Sequence, residues 1–290
     1  MDTIAEAGRW LEGYGLAHAS LEHCVDALTN PSYAEVAVLP GGHRSYQFAG
    51  YKSDLEQALT FLNFFTPPVV RHLLVQLSPL WTLCLNNSLP NSSFADDGPS
   101  LAKRTRSSVF RVVDNPSRIW KRDDLKEVMS WEARIFTAYR PDGTDEKTIL
   151  AMNDGGQWKW FATPNPQYPI EQTFDYNAKS IKKRFTSENL RSLLGSLGAP
   201  VPGPEAIIGA RRLALLQSPG QPQRTITRQE LDDPAYGYYS RGMTWVPHMA
   251  THATSVIHDF EKALRINPIY EPKVRPHIDE AKRILRANEL

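Results

Sequence analysis

The chain has 290 residues, 41% of them hydrophobic, which is enough for one large domain or two smaller ones. Its 33 basic and 32 acidic residues give a formal net charge of +1, so no global field favours nucleic acid, a membrane or an acidic substrate. Only Cys24 and Cys84 are present, too few for a disulfide framework and too far apart for a metal or redox motif. The start MDTIAEAGRW lacks a secretion signal and no run could span a bilayer, so a cytoplasmic protein is expected.

The N-terminal part of the chain predicts helices around one β-hairpin. In a capping box, a Ser or Thr and a Glu three residues later satisfy the free N–H groups that begin a helix. In chain order the predicted elements are a helix capped by Thr3 and Glu6 that stops near Gly13 or Gly15, a helix capped by Ser20, a hairpin of residues 33–39 and 45–51, a helix capped by Ser53 and Glu56, and an apolar helix over 67–77. The last helix has a strongly apolar face, which a sheet or a partner has to cover.

Residues 132–176 carry the clearest pattern of the sequence. Three short runs rich in β-branched and aromatic residues cover 135–139, 148–152 and 157–162, and the clusters PDGTDE and NDGG separate them. Asn and Gly tolerate the positive φ of a tight hairpin. The pattern therefore predicts a meander of three antiparallel strands.

Further elements extend this sheet toward the N-terminus. Residues 81–85 and 109–113 predict two more strands, and residues 123–129 predict a helix that crosses back. The polar loop 86–100 is long enough to indicate a binding role. We expect an antiparallel sheet of about five strands within 81–163.

Trp158 and Trp160 lie on the same face of the last strand, because side chains alternate across a strand. Exposed indoles would form a platform for a ligand or a base, whereas buried indoles would fill the core. Large aromatic residues on strands are usually buried, so we favour the core. A helix that could cover them is predicted at 187–197, with Thr186 as N-cap and Gly198 as its end.

The composition changes after the covering helix. Residues 199–234 are rich in Pro and Gln around one short apolar helix at 207–216. This change predicts a main α+β domain over 1–220 and a small all-helical segment over 221–290. In that segment, Tyr238, Tyr239 and Arg241 precede four spaced positions: Gly242, Phe260, Ala263 and Pro268.

Together these positions resemble a single degenerate tetratricopeptide repeat over about 236–270. In that family a helix with small and aromatic residues packs on a second helix, and each repeat buries its apolar face on the next. The resemblance implies protein binding. The alternative is a helical hairpin that packs on the main domain.

Two groups of residues have a composition that could support metal chemistry. His248 and His252 are four residues apart, as zinc ligands are in HExxH, but HMATH lacks the glutamate that serves as general base. Asp142, Asp145, Glu146 and Lys147 combine carboxylates with a lysine, as in metal-dependent nucleases, but they crowd into one hairpin turn. Solvated histidines and a solvated turn are the favoured interpretations.

Lys182, Lys183 and Arg184 form a basic cluster that could contact phosphates or an acidic partner. Nucleic-acid binding is not expected, because aromatic residues are not interleaved with these charges and the net charge is small. No GxSxG, GxGxxG or Walker motif occurs, so no nucleophile elbow and no cofactor is predicted.

We therefore expect a non-enzymatic module that binds a protein partner, without a cofactor and away from membranes. Its organisation resembles in a general way the small sheet-and-helix proteins that neutralise bacterial toxins (immunity or antitoxin proteins) or act as adaptors. The candidate partner-binding residues are Trp158, Trp160, Lys182, Lys183, Arg184, Tyr238 and Tyr239. Two alternatives stay open: a metal-dependent hydrolase or nuclease using His248 and His252 or the acidic turn, and a structural subunit that docks through the helix 67–77.

Overall fold

The computed structural model of the protein divides the chain into two compact units. The first, here called the sheet unit, comprises Met1–Ser117 and Ser130–Thr225, and the second, the helical unit, comprises Arg118–Met129 and Ile226–Leu290. The residues that the structure describes are 10–30, 46–52, 58–59, 62, 64–65, 70–87, 97–122, 125–164, 167–208, 210, 212–217, 226–227 and 233–288. Among them, no helix has both the length and the apolar character to cross a membrane.

The secondary structure of the described residues alternates strands and short helices up to the last, wholly helical stretch. The strands are β1 Gly13–Ala17, β2 Gln47–Lys52, β3 Phe64–Phe65, β4 Arg71–Ser78, β5 Trp81–Asn86, β6 Val109–Asn115, β7 Arg118–Arg122, β8 Leu125–Ser130, β9 Ala133–Tyr139, β10 Asp145–Asp154, β11 Gln157–Ala162, β12 Leu213–Gln217 and β13 Ile226–Thr227. The helices are α1 Leu21–Thr29, α2 Asp97–Thr105, α3 Ile181–Arg184, α4 Ser187–Ser196, α5 Pro204–Ile208, α6 Tyr236–Trp245, α7 Met249–Ile266 and α8 Glu271–Asn288. Short 3₁₀ turns lie at Pro169–Thr173, Val246–His248 and Pro268–Tyr270.

One antiparallel sheet organises the sheet unit, with nine strands in the order β11-β10-β9-β6-β1-β5-β4-β12-β2. This confirms the α+β class and the antiparallel pairing. The five predicted strands are all present, but the sheet is wider than predicted because β1, β2, β4 and β12 join it.

The sheet is covered on two faces. On one face, Leu28 of α1 and Leu101 of α2 share a buried cluster with Leu74 and Cys84. On the other face, α4 lies over the sheet, and its Leu193 belongs to the same cluster as Phe136, Ile149 and Leu83. Since burying a leucine contributes roughly 1.5–3 kcal/mol, these two layers are the main source of the unit's stability.

The apolar run predicted as a helix over 67–77 is wrong, because its described part forms β4. Leu73, Leu74 and Val75 are fully buried, and β4 is hydrogen-bonded to β5 on one edge and β12 on the other. A strand buried on both faces loses the alternation that distinguishes it from a helix. An internal strand also has no free edge or face, so β4 is not the docking surface that the structural-subunit alternative requires.

The sequence does not predict strand β1: a helix was expected to end near Gly13 or Gly15, where the strand lies. It pairs with both β5 and β6, and all five of its residues are buried. Gly13 and Gly15 mimic a helix stop, and full burial again removes the alternating pattern.

Two further helix predictions are wrong. Residues 123–129 contain β8, which forms a two-stranded hairpin with β7. The described part of residues 207–216 contains the end of α5 and then β12, which lies between β4 and β2. In both cases the partner strand, rather than local periodicity, decides the structure.

Several local predictions are confirmed. The Ser20 side chain caps α1 by accepting a hydrogen bond from the His23 backbone N–H, and Thr186 caps α4. Gly198 follows α4 with a φ of +66°, the left-handed conformation that ends helices. The turn between β10 and β11 places Gly155 and Gly156 at φ of +61° and +97°.

Other predictions lie wholly or largely outside the described residues. They are the capping boxes of Thr3 with Glu6 and Ser53 with Glu56, the strand 33–39, most of the loop 86–100, and much of the linker 199–234.

The helical unit is built around α7, which packs against both α6 and α8. Phe260, Val274 and Ile278 are fully buried in it. The predicted C-terminal helical segment is thus confirmed. Its likeness to a tetratricopeptide repeat remains a resemblance.

Candidate functional site

The crossing of α6 and α7 is close because of a glycine. A Cβ atom on Gly242 would lie 2.4 Å from Cε1 of the buried Phe260 ring, so only glycine allows this approach. The contact fixes the register of the two helices.

The neighbouring pair is Arg241 and Asp259, which form a bidentate ion pair. Arg241 donates from Nε to Oδ2 at 2.7 Å and from Nη2 to Oδ1 at 2.5 Å. Asp259 is 3% exposed, whereas half of the Arg241 side chain, 53%, faces solvent. Burial raises the pKa of Asp259, but the hydrogen bonds from Arg241 and His258 outweigh burial, so the pKa lies below its usual range.

Tyr238 and Tyr239, the predicted partner-binding tyrosines, have different environments. Tyr239 is buried and stacks on Tyr270, with ring centroids 4.7 Å apart, so it is a core residue of the helical unit. Tyr238 is half-buried, and the Arg241 guanidinium lies 5.0 Å from its ring centroid. Arg241 is thus held by a carboxylate and by an aromatic ring at once.

An open cleft lies beside this pair. It has a volume of about 410 Å³, within the usual range of ligand pockets. Its lining residues are Arg241, Trp245, Thr254, Ser255, His258 and Asp259. Arg241 and Trp245 are four residues apart on α6 and share a helical face.

The cleft presents hydrogen-bond donors next to an aromatic surface. Of the five N–H groups of Arg241, two bond Asp259, and the other three bond no residue that the structure describes, so a ligand can reach them. The His258 side chain is 69% exposed, and its Nδ1 lies 3.2 Å from Asp259 Oδ1. Such a site can accept a carboxylate or backbone carbonyl at Arg241 and an apolar side chain at Trp245.

Of the two histidines of the predicted metal pair, His252 contacts a residue of the cleft. His248 is exposed and immediately precedes α7, and His252 departs from helical geometry at a kink within α7. The His252 ring stacks on Trp245 with centroids 4.5 Å apart. Within the described ranges, no three His, Cys, Asp or Glu side chains are grouped to hold a metal ion.

In the sheet unit, Trp158 and Trp160 are half-buried and pack against the main core. The Trp160 ring lies 5.1 Å from that of Tyr176, between centroids, and the Arg184 guanidinium lies 5.8 Å from it. Both indoles therefore pack against the core, in agreement with the favoured interpretation.

The basic cluster is divided among three environments. Lys182 Nζ lies 2.9 Å from Glu132 Oε2, and Arg184 donates from Nε to the Ala178 carbonyl at 2.9 Å. Lys183 is exposed on α3. Two of the three cations thus already contact a protein oxygen.

The residues of the acidic turn are also separated. Asp142 is exposed and accepts hydrogen bonds from Thr144, while Lys147 is only 1% exposed and pairs with Glu171, with Nζ and Oε2 2.8 Å apart. The solvated-turn interpretation is therefore wrong for Lys147. Its side chain points to the face of β10 that α4 covers, because it alternates with Glu146 and Thr148.

Arg241, Asp259 and Trp245 were missed as site residues. The two partners of the ion pair lie 18 positions apart on different helices, so no local pattern in the sequence identifies them.

Comparisons with protein-family models, with curated proteins and with solved structures give no match for this chain. The chemistry of the cleft therefore gives the best indication of function.

Proposed function

We propose that this protein is a non-enzymatic protein-interaction module and that the cleft between α6 and α7 holds a segment of its partner. The observation that carries the proposal is the exposed Arg241, held in place by buried Asp259 beside the Trp245 ring. Arg and Trp are the residues most enriched among those that dominate binding energy at interfaces.

The partner segment is an acidic peptide with a large apolar side chain. A carboxylate of the peptide accepts hydrogen bonds from Arg241, and the apolar side chain packs on Trp245. Because Asp259 and Tyr238 hold Arg241 before binding, little side-chain entropy is lost on association. The resemblance to a tetratricopeptide repeat supports the same function. Recognition of one acidic segment suits either a cytoplasmic adaptor or an immunity protein that occupies a toxin.

Selection from a displayed library of random peptides on the immobilised protein tests the proposal. Enriched peptides carry Asp or Glu next to a large apolar residue. Their affinity, measured by fluorescence anisotropy, falls by about 30-fold or more in Trp245→Ala and in Ser255→Glu, which adds a like charge to the cleft. Arg283→Ala, which removes an exposed cation outside the cleft, leaves the affinity unchanged. Peptides that bind all variants equally would overturn the proposal.

The same preparation tests the hydrolase alternative. Stoichiometric zinc or manganese that is lost in the His248→Ala/His252→Ala variant would replace the proposal with a metal site. A pull-down from the source cells that compares the wild type with the cleft variants then identifies the partner, which only the wild type retains.

A further inference from the structure

The sheet unit contains a pocket of its own, with a volume of about 340 Å³. It lies where β1 begins and β6 ends, next to α4. The Asp114 backbone N–H donates to the Glu12 carbonyl at 3.0 Å, which holds the two strands together at this point. Because side chains alternate along strands, Tyr14 and Asp114 both point to the face that α4 covers.

Tyr14 and Asp114 bring polar groups into the pocket. Tyr14 is 4% exposed, and its hydroxyl makes no hydrogen bond to any described residue. Asp114 uses Oδ1 to accept a hydrogen bond from Ser187 Oγ at 2.7 Å, with Arg134 Nε 3.7 Å away. Within the described part of the chain, Asp114 Oδ2 accepts no hydrogen bond. The Tyr14 hydroxyl and Asp114 Oδ2 can therefore bond a ligand without breaking a contact to the described residues.

The opposite side of the pocket is cationic and apolar. Arg191 of α4 is exposed, and its guanidinium forms no ion pair with the described residues. Leu190 and Leu194 flank it on the same helix, and Val201 completes an apolar surface. Two acidic residues, Asp114 and Glu12, a guanidinium and an aliphatic surface therefore line one partly open pocket.

We propose that this pocket binds a free α-amino acid with an aliphatic side chain. The ammonium group donates to Asp114 Oδ2, the carboxylate accepts from Arg191, and the side chain packs on Leu190, Leu194 and Val201. The Tyr14 hydroxyl bonds the polar end of the ligand. The volume is within the range of small-molecule sites. This site is independent of the cleft in the helical unit.

Isothermal titration of the full chain with three probes tests the assignment. The probes are L-leucine, isocaproate, which lacks the amine, and isoamylamine, which lacks the carboxylate. L-Leucine binds, and each truncated probe binds about tenfold or more weakly, since each loses charge-assisted hydrogen bonds. No heat with L-leucine at millimolar concentration, or equal affinity for all three probes, overturns the proposal.

Two variants show which side chain binds the ammonium group of the ligand and which binds its carboxylate. Asp114→Asn keeps an acceptor for Ser187 but removes the charge, so the preference for L-leucine over isocaproate disappears. Arg191→Gln, at an exposed position where folding is not affected, removes the preference over isoamylamine. Lys183→Gln, which removes an exposed cation outside the pocket, keeps both preferences. Preferences that survive in both site variants also overturn the proposal.

Discussion

The buried pair of Lys147 and Glu171 is the most informative position at which to perturb the sheet unit. Lys147 Nζ contacts Glu171 Oε2 at 2.8 Å and donates to the Thr163 carbonyl at 2.6 Å. Glu171 also accepts from the Tyr168 backbone N–H at 2.8 Å and from the Tyr176 hydroxyl at 2.9 Å. This network joins strand β10 to the segment that covers Trp160.

Removing one charge of this pair costs more than removing both. Lys147→Met leaves the Glu171 carboxylate, 2% exposed, without its counter-charge, and we expect a loss of about 3–5 kcal/mol. Glu171→Gln leaves a buried ammonium and has a similar cost. In the double variant no charge stays buried, and the amide still accepts from Tyr168. The double variant is therefore expected to be more stable than either single variant.

Urea denaturation followed by tryptophan fluorescence measures these stabilities, because Trp158 and Trp160 lie near the network. Equal m-values among the variants are required for the comparison. A cost below about 1 kcal/mol for Lys147→Met, or a double variant whose loss equals the sum of the single losses, would refute the reasoning.

Three further predictions concern packing, acid stability and thiol reactivity. Gly242→Ala forces a Cβ into the Phe260 ring and should lower the free energy of unfolding, measured by thermal denaturation, by about 1–3 kcal/mol. Gly237→Ala is the matched control on the same helix: its Cβ would meet nothing within 4 Å, so this variant should stabilise the protein by up to about 1 kcal/mol. The pKa of Asp259 is lowered in the folded protein, so its contribution to the free energy of unfolding is present above about pH 4 and lost below it. Circular dichroism of the helices should therefore show an acid transition in the wild type that Asp259→Asn lacks. Burial raises the pKa of Cys24 to about 12, so a thiol reagent at pH 8 should react with it only after denaturation, and rapid labelling of folded protein would contradict its burial.

Sequence reasoning succeeded where the determining interactions are local. The β10–β11 turn depends on Gly155 and Gly156, and α4 depends on Thr186 and Gly198, all within a few residues of the elements they set. Each of these signals acts through the backbone conformation of its own segment. Tertiary context therefore did not overrule them.

Sequence reasoning failed where the determining interactions are distant along the chain. β12 pairs with β4, more than a hundred residues earlier, as in the match of Leu215 with Leu73. β1 and β4 are internal strands, so burial on both faces erased the alternation that would have identified them. The Lys147–Glu171 pair was hidden for the same reason, because its partner lies in a segment whose position no local rule gives.

The candidate cleft depends on packing as much as on its own side chains. Gly242 lets α6 approach Phe260, and in this arrangement Arg241 meets Asp259 with two hydrogen bonds. A displacement of α6 away from α7 would lengthen the two hydrogen bonds and loosen the hold of Asp259 on Arg241. The glycine therefore controls the stability of the helical unit and the orientation of its binding group through the same contact. It follows that Gly242→Ala should weaken peptide binding although it removes no residue that lines the cleft.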